Sequence, residues 1–254
     1  MGVVNVTPDS FSDGGRFSGA DRAIAHGRVL VAEGADIVDV GGESSRPGAE
    51  PVSEAEELHR VLPVIEALAG EVRVSIDTAK AGVARAAVAA GATLLNDITA
   101  SLHEVAADTG VGWVAMHMQG QPRTMQVEPR YRDVVAEVTA FLVDRARTAA
   151  AAGVTEVWID PGIGFGKTAA HNWALIAAVS DLAATGWPVA VGTSRKGFLG
   201  VTLGEADGRD GPTTVTDRLE GSVATVVHAA AAGAGMVRVH DVAATVAALA
   251  TVAA

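Results

Sequence analysis

The chain has 254 residues, enough for one large domain with a sizeable core, and its 49% hydrophobic content is mostly small Ala and Val. Aromatics make up 4% and cysteine is absent, which excludes disulfides, thiolate metal sites and cysteine nucleophiles and argues against an aromatic-rich β-sandwich. With 19 basic and 30 acidic residues the net charge is −11, so wholesale nucleic-acid binding is not expected and an anionic substrate needs a local basic cluster.

No signal peptide is legible, and no uncharged apolar run reaches the roughly 18 residues of a membrane span. Gly2 is not followed by the pattern for myristoylation, because Val6 occupies the required Ser/Thr position. A cytoplasmic protein without membrane contact is the expectation.

In chain order, short apolar runs predict strands near Gly2–Asn5, Ile37–Val40, Val72–Ile76, Leu94–Asn96, Trp113–Met116, Val157–Ile159, Val189–Val191 and Met236–Val239. Between them lie helical stretches at Asp21–Glu33, Ser53–Leu68, Lys80–Ala90, Leu102–Asp108, Tyr131–Ala152, Asn172–Ala184 and Thr213–Ala232, with a last one at Val242–Val252. Asp21 and Ser53 are candidate N-caps, and Gly34, Gly91 and Gly110 are among the glycines placed where helices should stop. Eight even strand–helix units predict an α/β fold, a single-domain (β/α)₈ TIM barrel over residues 1–254, in preference to a doubly wound open sheet. The loops after strands are long (Val6–Gly19, Gly41–Val52, His117–Arg130, Pro161–Ala170, Gly192–Gly211) and those after helices short, so function is expected on the C-terminal face.

Val157–Thr168 is the most telling stretch: an apolar run ends on Asp160, Pro161-Gly162 stops the strand, and a glycine-rich turn leads to Lys167 and Thr168. It is not a P-loop, since counting back from Gly166-Lys167-Thr168 puts Pro161 where the first glycine belongs. Asn5, Asp39, Asp77, Asn96, Asp160, Ser194 and His240 all fall at or just past strand ends. Any one of them is more simply an Asx-turn or a cap. Seven on one rim read better as a site.

Asp77, Asn96 and Asp160 offer acceptors and an amide suited to a flat heterocycle bearing N–H and amino donors, where each unmatched buried group costs about 1–3 kcal/mol. Basic groups cluster late, with Ser194-Arg195-Lys196 after the seventh strand and Arg238-Val239-His240 at the eighth, the usual phosphate end of a barrel. His117, between Met116 and Met118, reads as rim packing rather than a metal ligand. Thr7–Gly15 and Gly41–Gly48 carry glycine hinges and apolar tips, Phe11 and Pro47, and together read as lids that exclude water.

These residues resemble the signatures of the dihydropteroate synthase family. Asn5-Val6-Thr7-Pro8-Asp9-Ser10-Phe11-Ser12-Asp13-Gly14-Gly15 is similar to its first signature and Gly41-Gly42-Glu43-Ser44-Ser45-Arg46-Pro47-Gly48 to its second. Ser75-Ile76-Asp77-Thr78, Asn96-Asp97-Ile98, Met116-His117-Met118-Gln119-Gly120, Asp160-Pro161-Gly162-Ile163-Gly164-Phe165, Ser194-Arg195-Lys196 and Arg238-Val239-His240 follow in register. The resemblance implies condensation of the diphosphate ester of 6-hydroxymethyl-7,8-dihydropterin with 4-aminobenzoate, giving 7,8-dihydropteroate and diphosphate, with Mg²⁺.

By that resemblance, Asp77, Asn96, Asp160 and Lys196 hold the pterin, with Met116 and Phe165 lining its pocket. Ser45, Arg238 and His240 hold the diphosphate, and Asn5 ligates Mg²⁺. Phe11 and Pro47 form the aminobenzoate slot, while Asp13 and Arg46 act from the closing loops. Asp13, Arg46, Lys196, Arg238 and His240 form the expected catalytic set, in a homodimer.

Two positions depart from the commonest family pattern: Ser45 replaces Thr and keeps the hydroxyl, and Gly197 replaces Ser, leaving a backbone N–H there. The second loop carries no insertion like those of sulfonamide-resistant members, so sulfonamides are expected to compete with aminobenzoate. The competing readings are a methyltetrahydrofolate-binding methyltransferase, a non-catalytic pterin-binding homologue, and a Schiff-base barrel enzyme using Lys196.

Overall fold

A computed structural model describes residues 1–6, 19–46 and 48–253 of the chain. Its strands are β1 (Gly2–Asn5), β2 (Ile37–Gly41), β3 (Arg73–Asp77), β4 (Leu94–Asp97), β5 (Gly112–Met116), β6 (Val157–Asp160), β7 (Ala190–Val191) and β8 (Met236–Val237). The helices are α1 (Gly19–Ala32), α2 (Glu54–Leu68), α3 (Ala81–Ala89), α4 (His103–Thr109), α5 (Val134–Ala151), α6 (Ala169–Ala177), α7 (Val179–Ala183), α8 (Gly197–Ala206), α9 (Leu219–Ala231) and α10 (Val242–Val252).

Strands β1 to β6 pair in sequence order and in parallel, as do β7 and β8. Two bridges close the ring. Ile159 meets Val189, with the Ile159 N–H 2.9 Å from Pro188 O, and Gly2 meets Val239, with the Val3 N–H 3.0 Å from Val239 O. The chain is therefore the closed eight-stranded barrel expected, not an open sheet. Closure gives every edge a partner, and the inward faces of near-continuous Val, Ile and Leu runs then need only side-chain packing.

Most of the core lies between barrel and helices, where Val38, Ile65, Leu95, Trp113, Leu142, Ile159 and Leu182 are among the buried side chains. A second cluster of Ile37, Leu94, Val114, Ala190 and Met236, with Met1 and Trp158 packed on it, draws mainly on residues that begin their strands. It plugs the N-terminal end, which leaves the polar residues to the opposite mouth.

Ser53 caps α2 as expected, its Oγ accepting the Glu56 N–H at 3.2 Å, whereas Asp21 sits inside the first turn of α1. The predicted helix at Asn172–Ala184 is broken at Ala178 into α6 and α7, and the one at Thr213–Ala232 begins with a 3₁₀ turn at Val215–Arg218. The larger difference is α8, which occupies a stretch expected as loop. Two of its glycines, Gly200 and Gly204, are places of close packing. A Cβ on Gly200 would lie 2.6 Å from Arg218 Nε, and one on Gly204 would lie 2.1 Å from Gly211 O. Among the described residues no helix is long and apolar enough to cross a membrane.

Candidate active site

Register puts the rim residues at one height. Asn5 pairs with Gly41, Gly41 with Asp77, and Asp77 with Asn96, so β1 to β4 present one row of polar groups. Gly41 is the gap in that row. A Cβ there would touch Asp77 Cβ at 3.5 Å and Asn5 Oδ1 at 3.7 Å, so the missing side chain leaves floor space between an amide oxygen and a carboxylate. Across the barrel, Met116 pairs with Asp160.

A cavity of about 690 Å³ opens above this row. Of the expected site residues, Asn5, Ser45, Arg46, Asp77, Phe165, Lys196, Arg238 and His240 line it. Asn96, Met116 and Asp160 lie buried at the same strand ends and do not reach its lining. Phe11, Asp13 and Pro47, and the expected first lid, lie outside the described residues.

The electrostatics centre on Arg238. Its Nε donates to Asp39 Oδ2 at 2.6 Å and its Nη2 to Asp77 Oδ2 at 2.8 Å, and the Asn96 amide donates to the same Asp39 oxygen at 3.0 Å. Burial opposes the charge on Arg238, but Asp39 and Asp77 outweigh it and hold the guanidinium above its ordinary value. Burial pushes Asp77 up to about 7, against the pull of Arg238 and with the help of Asp39. Asp160 is also raised, by burial first, with Lys196 opposing; its Oδ1 accepts the Gly162 N–H at 2.7 Å.

Lys196 is no solvated loop lysine. Its Nζ lies 4.7 Å from the centre of the Phe165 ring and donates to Ile163 O. Burial lowers its pKa to about 8, with Asp160 working the other way. The backbone of Arg195 takes a left-handed φ of +58°. That turn points Arg195 to Asp241, with Nε 2.9 Å from Oδ2, and frees the next residue to face inward.

His240 is held by Ser194. The serine Oγ accepts the His240 backbone N–H at 3.1 Å and lies 3.1 Å from Nδ1. Burial, and then the neighbouring Arg238 and Arg195, lower His240 to about 3, so the imidazole is neutral. The serine hydroxyl then donates to Nδ1, and Nε2 carries the proton that can face an anion.

The glycine-rich turn after β6 is locked to the turn after β5. Gln126 Nε2 donates to Gly164 O at 2.6 Å and the Tyr131 hydroxyl to Gly166 O at 2.9 Å. Lys167 Nζ lies 3.0 Å from both His117 Nδ1 and Phe165 O. Burial lowers Lys167 to about 7 and His117 to about 4. His117 packs as expected, edge-on to Phe141 with centroids 5.0 Å apart. At the base of the second loop, Lys80 joins Glu43 to the fully buried Glu57, and Arg60 Nη1 donates to Gly42 O at 2.9 Å.

Sequence reasoning left two residues without a role. Lys167 follows a glycine turn that fails the phosphate-loop pattern, yet it lines the cavity. Asp39 was counted on the rim but lies inside β2, fully buried, and a lone acid within a five-residue strand of that kind is the signal that could have marked it.

Set beside known proteins, the chain matches the family described as "Pterin binding enzyme" over residues 1–240. It is 49% identical to the dihydropteroate synthase of Mycobacterium leprae, an alignment covering 98% of this chain and 90% of that protein. The structure is similar to Xanthomonas albilineans dihydropteroate synthase with 4-aminobenzoic acid, at a TM-score of 0.91 and 48% identity, covering 100% of this chain and 91% of that one. It is also similar to the Yersinia pestis enzyme in its sulfonamide drug complex, at a TM-score of 0.90 and 45% identity, covering 100% and 92% of the two chains.

Proposed function

The chain belongs to the dihydropteroate synthase family, and we propose that it condenses the diphosphate ester of 6-hydroxymethyl-7,8-dihydropterin with 4-aminobenzoate to give 7,8-dihydropteroate and diphosphate. The observation that carries this reading is the split of charge in one mouth. Asp77 and Asp160 stand at the ends of β3 and β6, while Arg238 and a neutral His240 stand at β8.

The residues suit the bonds that change. Breaking the C–O bond to diphosphate leaves a CH₂ cation delocalised into the pterin ring, which Asp77, Asn96 and Asp160 stabilise as they hold the ring's donors. Arg238, the His240 Nε2–H and the Ser45 hydroxyl receive the departing anion. The aniline nitrogen forms the new C–N bond and then gives up its proton to the released diphosphate, so no Cys, Ser or strong base is required. Lys196, above the Phe165 ring and drawn by Asp160, closes one side of the ring slot. By the family resemblance Met116 belongs to the ring pocket, and Phe11, Asp13, Arg46 and Pro47 are assigned to aminobenzoate binding and to keeping water from the cation.

The donor set fits Mg²⁺. Among the described residues no group of three His, Cys, Asp or Glu side chains could cage a metal, but the Asn5 amide oxygen faces the cavity beside Asp77. Asn5 would hold the ion, since Mg²⁺ needs few protein ligands. When bound, Mg²⁺ neutralises charge on the leaving diphosphate.

We assign the working form as a cytoplasmic homodimer. Support comes from the exposed apolar residues Trp173 on α6 and Leu219 on α9, which lie outside the cavity lining; the mass in solution tests it.

The decisive experiment is diphosphate release from the pterin ester, with and without 4-aminobenzoate and Mg²⁺. Release that requires all three is expected. Release that ignores aminobenzoate would favour a different pterin chemistry, and no release would favour a non-catalytic pterin binder.

A further inference from the structure

Asp39 has no part in the chemistry above, yet its placement is unusual. It sits on β2 two residues before Gly41, hence one layer below the rim row and on the same face. Its side chain is completely buried, where an apolar residue would ordinarily pack with less desolvation. The bonds it makes go to two residues of the proposed ligand site. Oδ2 accepts from Arg238 Nε at 2.6 Å and from Asn96 Nδ2 at 3.0 Å, while the buried Oδ1 has no hydrogen-bond partner among the described residues. The paired position on β3 is Ser75, whose buried Oγ is likewise unbonded. A carboxylate kept for the fold's own sake would be expected to satisfy neighbouring backbone or cap a helix, as Asp97 does with the Ser101 and Leu102 N–H groups at 2.7 Å.

We propose that Asp39 is a positioning residue that presets the Asn96 amide, oxygen away from the carboxylate, and anchors Arg238 on the anion side before substrate arrives. The proposal rests on the pterin-binding reading of this mouth. A carboxylate only accepts hydrogen bonds, so the Asn96 edge that faces it must be the NH₂ edge. The Asn96 oxygen is then turned to the other side, as an acceptor for the ring's donors. The same oxygen of Asp39 fixes Arg238 through Nε, which leaves the guanidinium's Nη edge to Asp77 and to an anion. One buried acid thus sets the hydrogen-bond polarity of two groups that the substrate meets.

The test is an affinity ratio. The full chain is titrated calorimetrically with 6-hydroxymethylpterin and with the matching lumazine, which carries a carbonyl in place of the 2-amino group. The parent is expected to bind pterin and to reject lumazine. In Asp39→Asn, a folded protein by circular dichroism and melting, pterin affinity should fall by about tenfold or more and the preference over lumazine should shrink with it, because the Asn96 amide can turn over. Inorganic diphosphate should also bind more weakly. Ser75→Ala, which alters the same buried layer without touching either partner, should keep the parent's ratio.

A folded Asp39→Asn that retains the parent's affinity and ratio overturns the proposal, as does a Ser75→Ala that loses them equally. If Asp39→Asn does not fold, the ratio is read in Asp39→Glu, whose longer arm displaces the carboxylate, and an unchanged ratio there has the same meaning. A parent that binds neither ring overturns the functional reading itself, which separates that failure from this one.

Discussion

Arg238 on β8 reaches Asp77 on β3, 161 residues earlier in the chain, with Nη2 2.8 Å from Oδ2. The bond crosses the mouth of the barrel and joins the proposed anion site to the proposed ring site. Arg238→Ala should therefore do two things. The pterin diphosphate should lose far more affinity than the pterin alcohol, and the fold should lose stability because Asp39 and Asp77 are left without their cation. Stranding one side of a buried pair costs about 3–5 kcal/mol. Calorimetry with both ligands and a urea titration measure the two effects. Equal loss for both ligands would show that the anion lies elsewhere.

Asp77 links ring binding to pH. Burial raises it to about 7, and the ionised form is the one that accepts from the ring's N–H groups. Below pH 7 the carboxyl is protonated and binding should weaken; above it, binding should level off. The pterin alcohol is the ligand to use, since it carries no titrating phosphate. In Asp77→Asn affinity should be lower throughout and the step near pH 7 should vanish. His240 adds no step, because its value of about 3 keeps it neutral across that range. A step that survives in Asp77→Asn belongs to another group, with Lys167, which lines the cavity and is lowered by burial to about 7, the next candidate.

Sulfonamides should compete with 4-aminobenzoate. The Yersinia pestis relative is known in a sulfonamide complex, and the second loop here has no inserted residues between Gly41 and Gly48. Initial rates with aminobenzoate varied at several sulfonamide concentrations should give lines of common maximal rate. Undiminished product formation at saturating sulfonamide, with aminobenzoate limiting, would refute this.

Gly162→Ala should be costly although no charge is involved. The glycine has a left-handed φ of +64°, and an added Cβ would lie 1.8 Å from His117 O. The carbonyl belongs to backbone, so relief requires the turn after β6 to move off the turn after β5. A loss of more than about 2 kcal/mol is expected from strain and displacement together. Chemical denaturation measures it. The displaced turn also carries Asp160, Phe165 and Lys167, so pterin affinity should fall in parallel.

Much of this was legible in the chain itself. Eight apolar runs of period and length proper to strands, separated by helical stretches and ended by Asn5, Asp77, Asn96 and Asp160, specify a barrel and mark its working rim, because hydrophobic spacing and turn chemistry are local properties. The run Gly197-Phe198-Leu199-Gly200 was misleading for the same reason. Its Gly200 packs against Arg218, and Gly204 further along the same helix packs against Gly211, partners that no local rule can see.

What tertiary structure decided is which charges meet. Nothing in the spacing of Asp39, Asn96 and Arg238 indicates that three strands bring them to one oxygen atom, nor that Lys196 lies over Phe165 while Arg195 beside it turns away to Asp241. Those pairings depend on ring closure, which sets β8 beside β1 and carries Arg238 to the carboxylates of β2 and β3. Coulomb energy depends on separation in space and on burial, and a linear chain specifies neither until it has closed.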